Sequence, residues 1–184
     1  TFNGSLFLLP KDCRLTEFTL EGISNIQGDF QCIDYFYVKE FVMPFIRVAG
    51  DMTIALNSGS VNTAAEIEFP KLQEIGGTLT LGTNRNANNI TFPLLKKILG
   101  SCSVTTYKLK NDIEFTNLES IGTDGADAQI KFEIEATNIL CPKLKTINGK
   151  FDIATSSFMF DMEVDKVSYP NVESISENLS ITCP

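Results

Sequence analysis

Phe69-Pro70-Lys71-Leu72-Gln73-Glu74-Ile75-Gly76-Gly77-Thr78-Leu79-Thr80-Leu81 carries the pattern on which the rest of the chain is built. Alone, it is a short helix-or-turn segment running into an alternating strand. Its weight comes from repetition. With Pro70 as position zero, apolar residues follow at Leu72, Ile75, Leu79 and Leu81, and Gly77 stands ahead of the strand. The same template returns as Pro93, Leu95, Ile98, Gly100, Cys102, Val104, and again as Pro142, Leu144, Ile147, Gly149, Phe151, Ile153. One residue short, it reads Pro44, Ile46, Val48, Gly50, Met52, Ile54. Glu21 holds the proline position before Ile23, Ile26, Gly28, Phe30 and Cys32. Thr116 leads Leu118 and Ile121, and Pro170 leads Val172, Ile175, Leu179 and Ile181.

Seven coils therefore begin at 21, 44, 70, 93, 116, 142 and 170. A repeat in the twenties with apolar sites at fixed offsets is the signature of a solenoid. Within each coil the Gly-x-Φ-x-Φ piece (Φ apolar) alternates with period two, as a strand with one buried face does. The glycine is read as a sharp turn into that strand, and the proline as a corner that ends pairing. Stacked coils would set these strands side by side as a parallel sheet over apolar ladders. A β-sandwich would not explain why Pro, Leu, Ile and Gly recur in one order. The expectation is a mainly β, single-domain solenoid over 1–184, with residues 1–20 as an N-terminal cap and 21–184 as repeats. Cys183-Pro184 repeats the Cys141-Pro142 that opens an earlier coil, so the natural chain is expected to continue beyond 184.

The F-P-x-L-x-x-I-x-G-x-L-x-L pattern resembles the receptor L-domain family, whose members are right-handed parallel β-helical, leucine-rich-repeat-like domains. The residues carrying the resemblance are Phe69 to Gly77 with Leu79 and Leu81, Phe92 to Gly100, and Pro142 to Gly149. It covers roughly Glu21 to Ile181. Such domains occur in receptor ectodomains, fungal cell-wall proteins and bacterial surface proteins. The chain has no Trp and no cysteine-rich module, which favours a cell-wall or bacterial surface relative over a hormone receptor. The resemblance implies an extracellular or cell-surface binding protein, or a cell-envelope scaffold, anchored outside these residues and taking a protein or glycan ligand.

Composition narrows the chemistry. The 184 residues are 43% hydrophobic, enough for a substantial core. No run of 18 apolar residues occurs, so no transmembrane segment is expected. Net charge is -8, which argues against nucleic acid and anionic lipid as partners, and the densest basic pair is Lys96-Lys97. The absence of histidine removes Ser-His-Asp and Cys-His catalysis and His-ligated metals. The cysteines at 13, 32, 102, 141 and 183 have no C-x-x-C spacing. In an exported chain, Cys13 with Cys32 could close the N-terminal cap, and Cys141 with Cys183 could form a second pair. The competing reading is that all five are buried thiols, and Cys102, at a ladder position, reads as a small hydrophobe.

Outward strand positions read Asp29 and Gln31, Asp51 and Thr53, Thr78 and Thr80, Ser101 and Ser103, Lys150 and Asp152, Asn178 and Ser180. This flat polar face is the candidate ligand surface, with Asp51, Thr53, Thr78, Thr80, Ser101, Ser103 and Asp152 as its candidate residues. It is also what any soluble parallel sheet shows to water. No catalytic residue, metal site or cofactor is assigned. Asp161-Met162-Glu163-Val164-Asp165 offers carboxylates for Ca²⁺ or acid/base chemistry but reads as the solvated side of a strand. Two regions break the period: Gly122 to Ala128, and Phe158 to Val167. Tyr35-Phe36-Tyr37 with Phe41 is expected to cap the core. Sequons stand at Asn3, Asn89 and Asn178. A non-catalytic binding or scaffold module is the leading reading; a carbohydrate-active β-helix enzyme is the alternative.

Overall fold

The structure, a computed structural model, describes residues 1–9, 17–33, 40–57, 65–84, 87–107, 113–123, 128–134, 138–154, 166–168, 171–175 and 179–182. These residues are strands and turns arranged as three parallel sheets. The main sheet has eight strands, in sequence order Leu6–Leu8, Phe30–Ile33, Met52–Asn57, Leu79–Asn84, Cys102–Tyr107, Ala128–Ile134, Gly149–Ala154 and Leu179–Thr182. A second sheet, at the corner that opens each coil, has seven two-residue strands. They are Asn25–Ile26, Arg47–Val48, Glu74–Ile75, Lys97–Ile98, Ser120–Ile121, Thr146–Ile147 and Ser174–Ile175. Each lies just after one of the seven positions at which the repeat template begins. The third sheet comprises Glu17–Thr19, Glu40–Val42, Ala65–Glu68, Ala87–Thr91, Ile113–Glu114, Asn138–Leu140 and Lys166–Ser168. Every strand pairs with the equivalent strand one coil away, so the chain is a β-solenoid.

In the coils led by Pro70, Pro93, Thr116 and Pro142 the opening corner is a turn, not a helix. The amide of Leu72 donates to the carbonyl of Phe69, Leu95 to Phe92, Leu118 to Phe115 and Leu144 to Cys141, each a closure across three residues. Proline second in such a turn supplies a preset φ. After the turn, one apolar side chain per coil enters the core from the corner strand: Ile26, Val48, Ile75, Ile98, Ile121 and Ile147 are fully buried. The main sheet adds Phe30 and Cys32, Met52 and Ile54, Leu79 and Leu81, Cys102 and Val104. The third sheet adds Phe41, Ile67, Ile90 and Ile113. All belong to one apolar cluster. Directly before Pro70, Pro93 and Thr116, the rings of Phe69, Phe92 and Phe115 form a column. Their centroids are 5.0 and 5.1 Å apart and their planes within 3° and 6°. Phe41 continues the column edge-on to Phe69 at 6.0 Å. It is therefore a core residue; Tyr35, Phe36 and Tyr37 lie outside the described residues.

Two positions depart from the repeat template. In the short coil led by Pro44, the core position belongs to Phe45, which is fully buried against Phe30 at 5.0 Å, while Ile46 is 38% exposed. The missing residue moves the apolar slot one step back. The glycines ahead of four main strands also do a different job from the expected sharp turn. Gly28, Gly50, Gly77 and Gly100 stack, the amide of each donating to the glycine carbonyl of the preceding coil (Gly50 to Gly28 at 3.0 Å, Gly100 to Gly77 at 2.9 Å). A Cβ on Gly100 would meet the Gly77 backbone at 2.7 Å. Close approach of coils, not a left-handed turn, excludes a side chain.

Cys32, Cys102 and Cys141 are free, buried thiols. Of the two readings left open for Cys32, a bridge to Cys13 or a buried thiol, the structure has the thiol: Cys32 lies in the ladder beside Ile54. Cys141 likewise makes no bridge; Cys13 and Cys183 lie outside the described residues. Burial raises all three thiol pKa values, that of Cys102 to about 12 from the ordinary 9.0. The unfolded chain ionises its thiols near pH 9 while the folded chain keeps them neutral. Their contribution to stability is therefore complete below pH 9 and is lost as pH rises toward 12. Peptide mapping after iodoacetamide treatment at pH 8 is expected to find these three unlabelled in the native protein and labelled in denaturant. Labelling without denaturant would contradict the ladder placement.

Candidate functional site

The candidate face lies on the main sheet, and the register resolves it into two rows. Gln31, Thr53, Thr80, Ser103, Lys131, Asp152 and Ser180 are successive cross-strand partners, beginning at Phe7 on the first strand. Four of the seven candidate residues, Thr53, Thr80, Ser103 and Asp152, thus stand in one line, one per coil. Thr80 is exposed, while Thr53 and Ser103 are half-buried.

Asp51, Thr78 and Ser101 occupy the second row, ahead of the strands, with Asp29. Here the side chains of Asp29 and Asp51, with that of Ser5 one coil earlier, bind backbone. Asp29 Oδ1 accepts from the Asp51 amide at 2.9 Å, Asp51 Oδ1 from the Thr78 amide at 2.7 Å, and Ser5 Oγ from the Asp29 amide at 2.9 Å. Each side chain thereby caps an amide of the next coil, and a carboxylate acceptor strengthens the bond. The structure gives Asp51 a coil-joining role that its outward-facing sequence position did not reveal. Asp51→Ala is expected to cost about 1–2 kcal/mol in urea unfolding, and Asp51→Asn, which keeps an acceptor oxygen, less.

The repeat template missed one charged grouping on this sheet. Lys131 and Glu133 pair in register with Asp152 and Ala154, and Gln129 with Lys150, so Lys131, Glu133, Lys150 and Asp152 fall on adjacent strands. The break at 122–128 hid the strand Ala128–Ile134 from the template. Asp161 to Asp165 and Asn178 lie outside the described residues. Among the described residues, no group of three or more His, Cys, Asp or Glu side chains could hold a metal ion. Among them too, no helix is long and apolar enough to cross a membrane. Of the sequons, Asn3 is exposed, whereas Asn89 donates its side-chain amide to Glu66 at 2.8 Å.

A second surface emerges on the corner side. Residues scattered in sequence align there into rows. Ile46, Gln73, Lys96, Glu119, Lys145 and Glu173 are linked by backbone bonds from coil to coil, Lys96 N to Gln73 O at 2.9 Å for instance. Beside them run Arg47, Glu74, Lys97 and Ser120 in strand register. Lys71 and Lys143 lie at the turns. No basic cluster is legible in the linear sequence; the stacking creates one. Arg47 Nε pairs with Glu74 Oε1 at 2.8 Å, and Lys145 Nζ approaches Glu173 Oε1 at 3.9 Å. Lys143 Nζ donates to Asn117 Oδ1. Exposed Lys71, Lys96 and Lys97 form no ion pair among the described residues. A surface depression of about 420 Å³ opens between Glu119, Lys143, Lys145 and Asn171.

No family model, curated protein or solved structure matches the chain.

Proposed function

We propose that the chain is a non-catalytic binding or cell-envelope scaffold module, of receptor L-domain type, displayed outside the cell. The observation that supports it is the row Gln31, Thr53, Thr80 and Ser103: hydrogen-bonding side chains repeated once per coil along a parallel sheet. Coils in a parallel sheet are about 4.8 Å apart. Such a row suits an extended ligand, glycan or protein, running along the solenoid axis and bonded at several points of modest strength each. A regular row binds; it does not concentrate charge on one bond of a substrate.

The second reading is a carbohydrate-active β-helix enzyme. The observation favouring it is the register placement of Lys131, Glu133, Lys150 and Asp152 on adjacent strands. One experiment separates the two. The purified chain is titrated against a panel of cell-wall polysaccharides and surface proteins, and each polysaccharide is assayed for new reducing ends. The binding reading expects saturable binding that Thr80→Glu weakens, with no new reducing ends. Turnover abolished by Asp152→Asn would replace it with the enzyme.

A further inference from the structure

We infer that the corner face of the coils led by Pro44 through Pro142 is a second docking surface, and that it takes a short acidic segment of a partner polypeptide. The charge distribution carries the inference. Between Pro44 and Gly149 this face presents Arg47, Lys71, Lys96, Lys97, Lys143 and Lys145 against Glu74 and Glu119, in a chain whose net charge is -8. With Glu173, which Lys145 approaches at 3.9 Å, counted as well, an excess of three positive charges is gathered on one side of an acidic molecule.

Neighbouring coils are about 4.8 Å apart, inside the screening length of about 8 Å at physiological ionic strength, so charges on adjacent coils reinforce one another. Lys71, Lys96 and Lys97 lie on successive coils, exposed and without ion pairs among the described residues. Ile46 and Leu94, 38% and 42% exposed, stand on the same face. Lysines interspersed with aliphatic side chains complement a peptide in which carboxylates and apolar residues alternate.

The size of the patch decides between a peptide and a polymer. Five coils span about 19 Å, which an extended peptide of roughly six residues covers. A long anionic polysaccharide would run past the patch onto coils where acidic residues predominate, and like charge would oppose it. The inference rests on the reading of the chain as a binding module, but on a face separate from the main sheet.

The test measures fluorescence anisotropy of a labelled short peptide of alternating Glu and Leu, at low and at physiological ionic strength. Lys96→Gln/Lys97→Gln is compared with Asn3→Asp/Gln27→Glu, which changes net charge equally but lies at the N-terminal end of the solenoid, outside the patch; all variants are checked for an unchanged unfolding midpoint. Saturable, salt-sensitive binding is expected, weakened about tenfold by the lysine pair and unchanged by the control. No binding at low salt, equal weakening by both pairs, or tighter binding of polygalacturonate than of the peptide would each overturn the proposal. Binding of neutral glycans retained in the Lys96→Gln/Lys97→Gln variant would show that the main-sheet reading stands even if this one falls.

Discussion

Phe92→Ala is expected to destabilise the protein by about 3–5 kcal/mol, read as a lower urea midpoint. Phe92 is fully buried and is the middle ring of the column, 5.0 Å from Phe69 and 5.1 Å from Phe115. Alanine there removes one ring's burial and two stacking contacts, and leaves a cavity that the coils cannot close. Their separation is held by backbone bonds such as Phe69 N to Thr91 O and Phe92 N to Glu114 O. Phe92→Leu retains most of the volume and is expected to cost less than half as much. Coils contact only their neighbours, so the loss is local. Hydrogen exchange should quicken most between Phe69 and Phe115. Equal costs for Ala and Leu would mean that the rings are not stacked.

The second large effect falls where no side chain exists. An ideal Cβ on Gly100 lies 2.7 Å from Gly77 C, 2.8 Å from Gly77 O and 2.9 Å from Thr78 N. All three are backbone atoms, so no rotamer change relieves the contact. The coils must separate, at the expense of the 2.9 Å bond from Gly100 N to Gly77 O. Gly100→Ala is expected to cost about 3 kcal/mol or more, the upper end for overpacking. Gly82 is the internal comparison: a Cβ there meets nothing closer than Ile54 O at 4.0 Å. Gly82→Ala should be neutral, or stabilising by about 0.5–1 kcal/mol, because alanine has less conformational freedom to lose. If both substitutions behave alike, the glycine stack is not what joins the coils.

These two sites also show how far sequence reading reaches. The Phe, Pro, Leu, Ile and Gly positions were legible because each serves the same slot in every coil, and stacking punishes a wrong size at any of them. The third sheet was not legible. Its strands are as short as Ile113–Glu114 and bury a single side chain, too little for a period to register. Ile46 misled because the coil led by Pro44 lacks one residue, and only the packing of Phe45 on Phe30 shows which neighbour moved inward. At the candidate face, the line through Thr53, Thr80, Ser103 and Asp152 could be drawn from the template. The use of Asp51 to bind the Thr78 amide could not, since it depends on how coils abut. The basic corner face was invisible for the same reason: Lys71, Lys97 and Lys145 are far apart in sequence and meet only through stacking.

Whether the coils stack in register is settled by a crystal structure of the 184-residue chain. The expected result is three parallel sheets, with the Gly50, Gly77 and Gly100 amides each bonded to the glycine carbonyl one coil back and the Phe69, Phe92 and Phe115 rings spaced as in the column described above. Antiparallel pairing between these strands, or glycines that do not meet, would contradict the account and every assignment built on it.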